Sequence, residues 1–119
     1  MKKFYFLSTC NTCKRILNDL DLNASFELQD IKSTPINPEE LAHLKSLSGS
    51  YESLFSKRAK LYKELGLKEK SLSDDDYKTY ILEHYTFLKR PVLVLNEQLF
   101  VGNSSKVVNA AKTALLNEK

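Results

Sequence analysis

Residues 4–17 read FYFLSTCNTCKRIL, and they join an apolar run to the start of a helical pattern. The run at residues 4–7 predicts a buried strand, and the residues from Lys14 onward predict a helix. Between them lies a C-x-x-C motif that extends from Cys10 to Cys13. A C-x-x-C motif between a strand and a helix is typical of thiol redox sites. The first loop of the chain is therefore a candidate reactive site.

The position of Cys10 predicts a reactive thiolate. A helix that begins near Cys10 directs unpaired N–H groups and its positive dipole end toward this residue, and Lys14 and Arg15 add positive charge one turn later. Such surroundings lower a cysteine pKa from ~8.5 to about 3.5–7.5. Cys13 follows three residues later on the same helix face, close enough for a disulfide, which needs Cα atoms about 4.4–6.8 Å apart.

Two other interpretations of the cysteines stay open, namely half of a zinc site and small buried residues. A zinc site needs two more ligands at a usable spacing, and the only histidines, His43 and His84, are far apart in the sequence. A structural disulfide across two residues would close almost no chain. The context of the motif favours redox chemistry, with no metal and no bound cofactor.

The composition is that of an ordinary globular protein. The 119 residues, 42% hydrophobic and 28% charged, fit one domain with its own core. No stretch approaches the ~20 apolar residues of a membrane span, and the N-terminal apolar run is too short for a signal peptide. We therefore expect a cytoplasmic protein with catalytic or sensing cysteines. A net charge of +3 does not indicate nucleic-acid binding.

The first half of the chain predicts a βαβ unit followed by a helix. Strands are expected at residues 2–7 and 25–29, the second from its alternating pattern, with a helix at 11–22 between them. Such a unit favours parallel strands. Asn37 is a good N-cap and Pro38 a natural first residue for the next helix. This helix presents Leu41, Leu44 and Leu47 and breaks at residues 48–50.

The second half predicts more helices and then a hairpin. Residues 51–65 have a helical pattern, in one piece or two, that ends near Gly66. Ser73 and the three aspartates after it cap another helix, whose stripe consists of Tyr77, Tyr80, Ile81, His84 and Tyr85. Strands follow at residues 91–95 and 99–101, joined by a turn at 96–98. A last helix places Val107, Val108, Ala111 and Leu115 inward.

The order of elements is β-α-β, a block of helices, and β-β-α. This order predicts an α/β protein with the thioredoxin-like fold, a four-stranded mixed sheet in a single domain of residues 1–119. Residues 38–88 form a helical insertion between the βαβ and ββα halves. The fold has its active site at the N-terminus of the first helix, and Pro91 takes the position of the cis-proline beside that site.

Three segments carry a more specific resemblance. They are Cys10-x-x-Cys13-Lys14-Arg15, the stretch SKRAKLYKELGL at residues 56–67, and LKRPVLV at residues 88–94 followed by Val101-Gly102. In order and spacing over nearly the whole chain, they resemble the arsenate reductase/Spx family. The segment with arginine, proline and a hydrophobic strand is the most distinctive of the three.

The resemblance implies two activities on one scaffold. In glutaredoxin-coupled arsenate reductases the first cysteine attacks arsenate, glutathione resolves the adduct, and arginines hold the oxyanion. In Spx-type regulators the motif is a redox switch, and the domain binds the C-terminal domain of the RNA polymerase alpha subunit. By this resemblance Cys10 matches the nucleophile and Arg90 matches an oxyanion-binding arginine. Arg58 matches an arginine of the regulators and of uncharacterised relatives.

The resemblance also shows two departures. Reductases of the enteric plasmid type carry arginines where this chain has Ser56 and Asn103. Because guanidinium groups bind oxyanions with paired hydrogen bonds, their loss weakens the expectation of arsenate as substrate. Arg15, Arg58 and the helix N-terminus offer partial replacements. Hydrogen bonds to a bound anion are also expected from two residues of the first turn, Asn11 and Thr12.

We therefore expect a thiol-dependent oxidoreductase. Cys10 attacks an oxyanion or disulfide, Cys13 or glutathione resolves, Arg90 and Arg58 bind the oxyanion or the glutathione carboxylate, and Pro91 shapes the substrate groove. Electrons come from glutathione with glutaredoxin, or from thioredoxin.

The first alternative is an Spx-like regulator that binds the RNA polymerase alpha subunit. Such regulators generally extend past the last helix, whereas this chain ends at Lys119, which favours the enzyme. The second is a scaffold that keeps its thiols without an oxyanion substrate. Single residues also keep structural interpretations: Arg90 as a surface arginine and His84 as a packing histidine. Neither nucleic acid nor membrane is an expected partner.

Overall fold

The computed structural model describes residues 1–118, and the chain forms two compact units. The first unit consists of Met1–Thr34 and the chain from Arg90 onward, and the second is Pro35–Lys89. The strands are β1 (Lys2–Phe6), β2 (Glu27–Asp30), β3 (Val92–Leu95) and β4 (Gln98–Val101). The α-helices are α1 (Asn11–Leu20), α2 (Pro38–Ser48), α3 (Lys60–Glu64), α4 (Asp74–Glu83) and α5 (Ser105–Asn117). Short 3₁₀ helices cover Glu52–Leu54, Leu67–Glu69 and Tyr85–Phe87.

The first unit contains a mixed sheet with the order β2-β1-β3-β4, to which the described residues contribute four strands. β1 is parallel to β2 and antiparallel to β3, and β3 is antiparallel to β4. The register places Phe6 opposite Asp30 and Tyr5 opposite Val92. The ends of β1 and β2 and the start of β3 therefore meet at one edge of the sheet. The predicted mixed sheet and its βαβ and ββα halves are confirmed.

The core of the first unit lies between one face of the sheet, α1 and α5. It consists of Phe4, Ile16, Leu20, Phe26, Leu93, Leu95 and Ala111. Burial of each large side chain contributes about 1.5–3 kcal/mol, so this cluster fixes α1 firmly on the sheet. The predicted inward positions Val107, Val108 and Leu115 are half-buried along α5.

The second unit has an aromatic core centred on Phe55. Its ring lies 4.8 Å from that of Tyr77 and 4.9 Å from that of Phe87, between ring centroids. Phe55 is extended and forms an isolated bridge with Leu88, which explains why the helical pattern of residues 51–65 gives only two short helices, at 52–54 and 60–64. Burial of the ring in this position outweighs the local helical preference.

Two further predictions need correction. The alternation at residues 25–29 predicts Phe26 and Leu28 on one buried face, but Leu28 is 51% exposed and Gln29 is buried. The strand begins only at Glu27, and the Gln29 side chain donates a hydrogen bond to the carbonyl of Thr34 at 2.9 Å. His84 does not belong to the stripe of α4. It follows the helix and is exposed, with its ring edge-on to Phe87.

Both predicted N-caps are confirmed. Asn37 and Ser73 each accept a hydrogen bond from the N–H three residues later, and each forms a capping box with an acidic side chain. Within residues 1–118, every helix falls short of the length and apolar character that crossing a bilayer requires.

Candidate active site

Cys10 lies directly before α1, as the sequence predicts. Its N–H donates to the carbonyl of Leu7 at 2.9 Å and closes a tight turn after β1. Its own carbonyl accepts the first hydrogen bond of the helix, from the N–H of Lys14 at 3.2 Å. Cys10 is therefore the N-cap of α1, the position at which the free N–H groups of the first turn converge. Its side chain is half-buried and its thiol is free.

The surroundings of Cys10 favour a thiolate. Partial burial raises its pKa, but this effect is outweighed by the N–H and thiol of Cys13, the N–H of Thr12 and the charge of Arg90, so the pKa lies below its ordinary value. The Cys10 side chain forms no cap hydrogen bond at the start of α1, so the N–H groups of Thr12 and Cys13 lie outside strict capping geometry. They act mainly as dipoles directed at the sulfur.

Cys13 has the opposite character. It is fully buried, and burial raises its pKa to about 11 even though the backbone N–H of Leu7 favours its thiolate. The hydrogen bond to Cys10 and the negative charge there raise it further, while Arg90 opposes them. Cys10 therefore ionises at a lower pH than Cys13. The two side chains form one coupled dithiol with a defined order of ionisation.

Arg90 and Pro91 complete the site at the start of β3. The peptide bond between them is cis, as predicted for Pro91. Arg90 is half-buried, and its charge acts on both thiols. The structure thus brings Cys10, Cys13, Thr12 and Arg90 together, and Pro91, a fifth predicted residue, directly follows Arg90.

The remaining predicted residues have different positions. Asn11 and Arg15 are exposed on the first turns of α1. Arg58 is exposed before α3 and belongs to the second unit, so its role in binding an anion stays a prediction. Of the two departures, Ser56 donates its N–H to the carbonyl of Phe87 at 2.6 Å, and Asn103 is exposed after β4.

Sequence reasoning missed a pair of residues next to the motif. Asp30, the last residue of β2, accepts hydrogen bonds from the N–H of Ser8 at 3.2 Å and from its hydroxyl at 2.7 Å. Ser8 lies in the turn that carries Cys10. A signal was available, because the carboxyl ends of adjacent parallel strands meet at one edge and β1 ends at the motif.

The zinc interpretation of the cysteines gains no support from the described part of the chain. Residues 1–118 contain no cluster of three or more histidine, cysteine or acidic side chains that could hold a metal ion. His43 and His84 both lie in the second unit, whereas Cys10 and Cys13 lie in the first.

The arrangement suits two-step thiol chemistry on an anion. One sulfur is exposed enough to attack, a second is protonated beside it, and a guanidinium and helical N–H groups supply positive potential at the same point. An electrophile that carries negative charge is the natural reaction partner of such a site.

Comparisons with known proteins identify the family of the chain. A model of the ArsC family matches residues 5–111. The global transcriptional regulator Spx of Streptococcus agalactiae serotype V is 27% identical over 108 residues, which cover 88% of this chain and 79% of the regulator. Spx 2 of Bacillus anthracis is 26% identical over 105 residues, covering 86% and 79%.

A solved structure extends the similarity to the fold. The arsenate reductase from Vibrio cholerae superimposes with a TM-score of 0.73 and 29% identity, covering 92% of this chain and 96% of the reductase. The thioredoxin-like architecture predicted from the order of elements is therefore confirmed. The site, the fold and the family match over residues 5–111 lead to one assignment: the chain belongs to the ArsC family.

Proposed function

We propose that this protein is a thiol-dependent reductase of the arsenate reductase type. The observation that carries the proposal is the coupled dithiol, in which Cys10 favours the thiolate and Cys13 stays protonated beside Arg90. A lowered pKa at an accessible sulfur makes a nucleophile near neutral pH, and a protonated neighbour supplies the second thiol of a two-electron reduction. The substrate is an oxyanion such as arsenate, or a disulfide.

The first step with arsenate forms a bond between sulfur and arsenic. The Cys10 thiolate attacks the arsenic atom, one As–O bond breaks, and the oxygen leaves as water after taking up two protons. Arg90 and the N–H groups of the first turn of α1 stabilise the negative charge on the remaining oxygens. Because both groups also act on the free thiolate, the same charges serve the nucleophile and the bound anion.

The second step reduces arsenic and forms a disulfide. The Cys13 sulfur, or that of glutathione, attacks the Cys10 sulfur and releases its proton. The S–As bond breaks, and its electron pair stays on arsenic, which passes from As(V) to As(III). Cys13 becomes more acidic at this stage: burial is the largest cause of its raised pKa, but the charge on Cys10 also raises it, and that charge disappears when Cys10 is bound. Two external thiols then reduce the disulfide.

Those thiols come from glutathione with glutaredoxin, or from thioredoxin. Both systems maintain reduced thiols in the cytoplasm, which is the compartment we propose for the reaction. Glutathione acts as a co-substrate here, and the proposed cycle needs no resident cofactor.

The test is arsenate-dependent NADPH consumption by the purified protein. One assay contains glutathione, glutaredoxin and glutathione reductase, and the other contains thioredoxin and its reductase. Cys10→Ser is the blank, and Cys13→Ser distinguishes an internal disulfide from resolution by glutathione. We expect turnover that Cys10→Ser abolishes. Turnover that survives Cys13→Ser only with glutathione would identify glutathione as the resolving thiol.

A protein whose Cys10 reacts rapidly with iodoacetamide, yet which turns over neither arsenate nor a small-molecule disulfide with either donor, would refute the proposal. That outcome favours the second candidate, a redox-sensing regulator, because the matched curated relatives carry the name Spx. For a regulator we expect the purified C-terminal domain of the RNA polymerase alpha subunit to bind the reduced and the disulfide forms with different affinities. Equal binding of both forms, or no binding, would exclude it.

A further inference from the structure

The turn that carries Cys10 is fastened to the end of β2 by one carboxylate. Asp30 Oδ1 accepts the N–H of Ser8 at 3.2 Å, and Oδ2 accepts its hydroxyl at 2.7 Å. Ser8 and Thr9 are the central residues of the turn closed by the Leu7–Cys10 hydrogen bond. A two-point contact of this kind fixes both the position and the orientation of Ser8.

The carboxylate is itself held in place from the other side. The N–H of Lys32 donates to Oδ1 at 3.2 Å, and the hydroxyl of Ser33 donates to Oδ2 at 3.4 Å. The carbonyl of Asp30 accepts the N–H of Thr34 at 2.9 Å. Asp30 is therefore fixed at the end of the sheet, and its carboxylate can hold the turn that carries Cys10 in place.

Small movements of this turn affect both sulfurs. The carbonyl of Leu7 holds the N–H of Cys10, and the N–H of Leu7 acts on the Cys13 thiol. Ser8 directly follows Leu7, so a shift of Ser8 moves the Cys10 side chain relative to the N–H groups of Thr12 and Cys13. Dipolar stabilisation falls steeply when the donors are no longer directed at the sulfur.

We propose that Asp30 is a positioning residue for the dithiol, which acts through Ser8 to hold the Cys10 sulfur against the first turn of α1. The inference rests on the proposed function only in taking the Cys10 thiolate as the nucleophile of that reaction. The orientation of the sulfur is a separate property, which thiol chemistry reports without any substrate.

The experiment measures the pKa of Cys10 from thiolate absorbance in the ultraviolet and its rate of reaction with iodoacetamide at mildly acidic pH. The variants are Asp30→Ala, Asp30→Asn and Ser8→Ala. Asp19→Ala is the matched control, because it also removes a carboxylate of the first unit, the one paired with Lys112 at 2.7 Å. All are made in a Cys13→Ser background, so that a single thiol is observed.

We expect Asp30→Ala to raise the Cys10 pKa and to slow alkylation about tenfold, which corresponds to one pKa unit. Ser8→Ala, which removes one of the two contacts, slows it a few-fold. Asp30→Asn, which retains an acceptor for the Ser8 N–H and a donor for its hydroxyl, stays close to the parent. Asp19→Ala is unchanged.

Two results overturn the inference. One is that Asp30→Ala and Ser8→Ala are alkylated as fast as Asp19→Ala. That result would mean that the turn does not need the hydrogen bonds between Asp30 and Ser8. The other is an Asp30→Asn protein as slow as Asp30→Ala, which would mean that hydrogen bonds between residue 30 and Ser8 do not suffice to hold the sulfur in place. A wild-type protein that reduces neither arsenate nor a disulfide refutes the proposed function and leaves this test as it stands.

Discussion

Cys10 and Cys13 are three residues apart, yet they differ in burial and in the direction in which their pKa values are shifted. This difference follows from their positions: Cys10 is the half-buried N-cap residue of α1, and Cys13 lies within the first turn with no exposed surface. The sequence predicted a lowered pKa for Cys10 from its place at the helix start, but it did not predict how deeply Cys13 is buried. It did not predict Asp30, because only the register of β1 and β2 brings that carboxylate beside Ser8.

Arg90 can be tested at the same scale with a pair of substitutions. Burial opposes the thiolate of Cys10, and Arg90 is one of the groups that lower its pKa. We expect Arg90→Ala to raise both the pKa of Cys10 and the KM for arsenate. Arg90→Lys keeps the charge and loses the planar fork, so the pKa stays near that of the wild type while KM rises. Thiolate absorbance and steady-state kinetics measure the two effects separately. An unchanged KM in both variants would contradict the placement of Arg90 at the anion.

Among the elements, helix starts were predictable and the shape of the insertion was not. Asn37 and Ser73 indicate where α2 and α4 begin, because their side chains accept hydrogen bonds from N–H groups that the helix leaves unpaired. Residues 51–65 lack such a signal, and their structure depends on Phe55, which is buried against rings distant in sequence. The expectation that Leu28 is buried was wrong for a related reason. The strand begins two residues later than the alternating pattern, and it buries Gln29.

The capping box of α2 gives a prediction at this scale. Asn37 Oδ1 accepts the N–H of Glu40 at 2.7 Å, and Glu40 accepts the N–H of Asn37 at 3.2 Å. We expect Asn37→Ala to lower the free energy of unfolding by about 1 kcal/mol and Asn37→Ser to preserve most of it. Urea denaturation measures both. The rate of Cys10 alkylation is the control and should be unchanged, and an equal loss of stability in both variants would argue against the capping contact.

For the molecule as a whole, the order of elements was predictable because each element is encoded locally. The similarity to the Vibrio cholerae reductase confirms the resulting fold. The division into units at Pro35 and Lys89 comes from contacts between distant residues, which local patterns do not report. The statement that residues 1–119 form a single domain stays a prediction.

Acid should destabilise both units through one carboxylate in each. A hydrogen bond from Ser8 lowers the pKa of Asp30 in the first unit, and a hydrogen bond from Lys57 lowers that of Glu52 in the second. Each group therefore adds stability above its unfolded pKa of about 4, and this contribution is lost as the pH falls through the lower folded value. We expect the wild type to lose stability in this range and the Asp30→Asn/Glu52→Gln variant to lose less.

Urea unfolding as a function of pH measures this difference. Glu97→Gln, which removes an exposed carboxylate in the turn between β3 and β4, is the control for the single variants Asp30→Asn and Glu52→Gln, each of which also loses one negative charge. Parallel stability curves for the wild type and the double variant would contradict the prediction.

The N-cap position of Cys10 also connects redox state with folding. A helix start usually has a serine, threonine or aspartate, whereas the N-cap of α1 is Cys10, whose thiolate is favoured by the N–H groups of Thr12 and Cys13. Because the pKa of Cys10 is lowered by the fold, the thiolate stabilises the reduced protein at a pH above the unfolded pKa, and this benefit fades as the pH falls through the folded value. Oxidation neutralises that anion. By thermodynamic linkage, we expect whatever stabilises the reduced helix to make a disulfide between Cys10 and Cys13 easier to reduce.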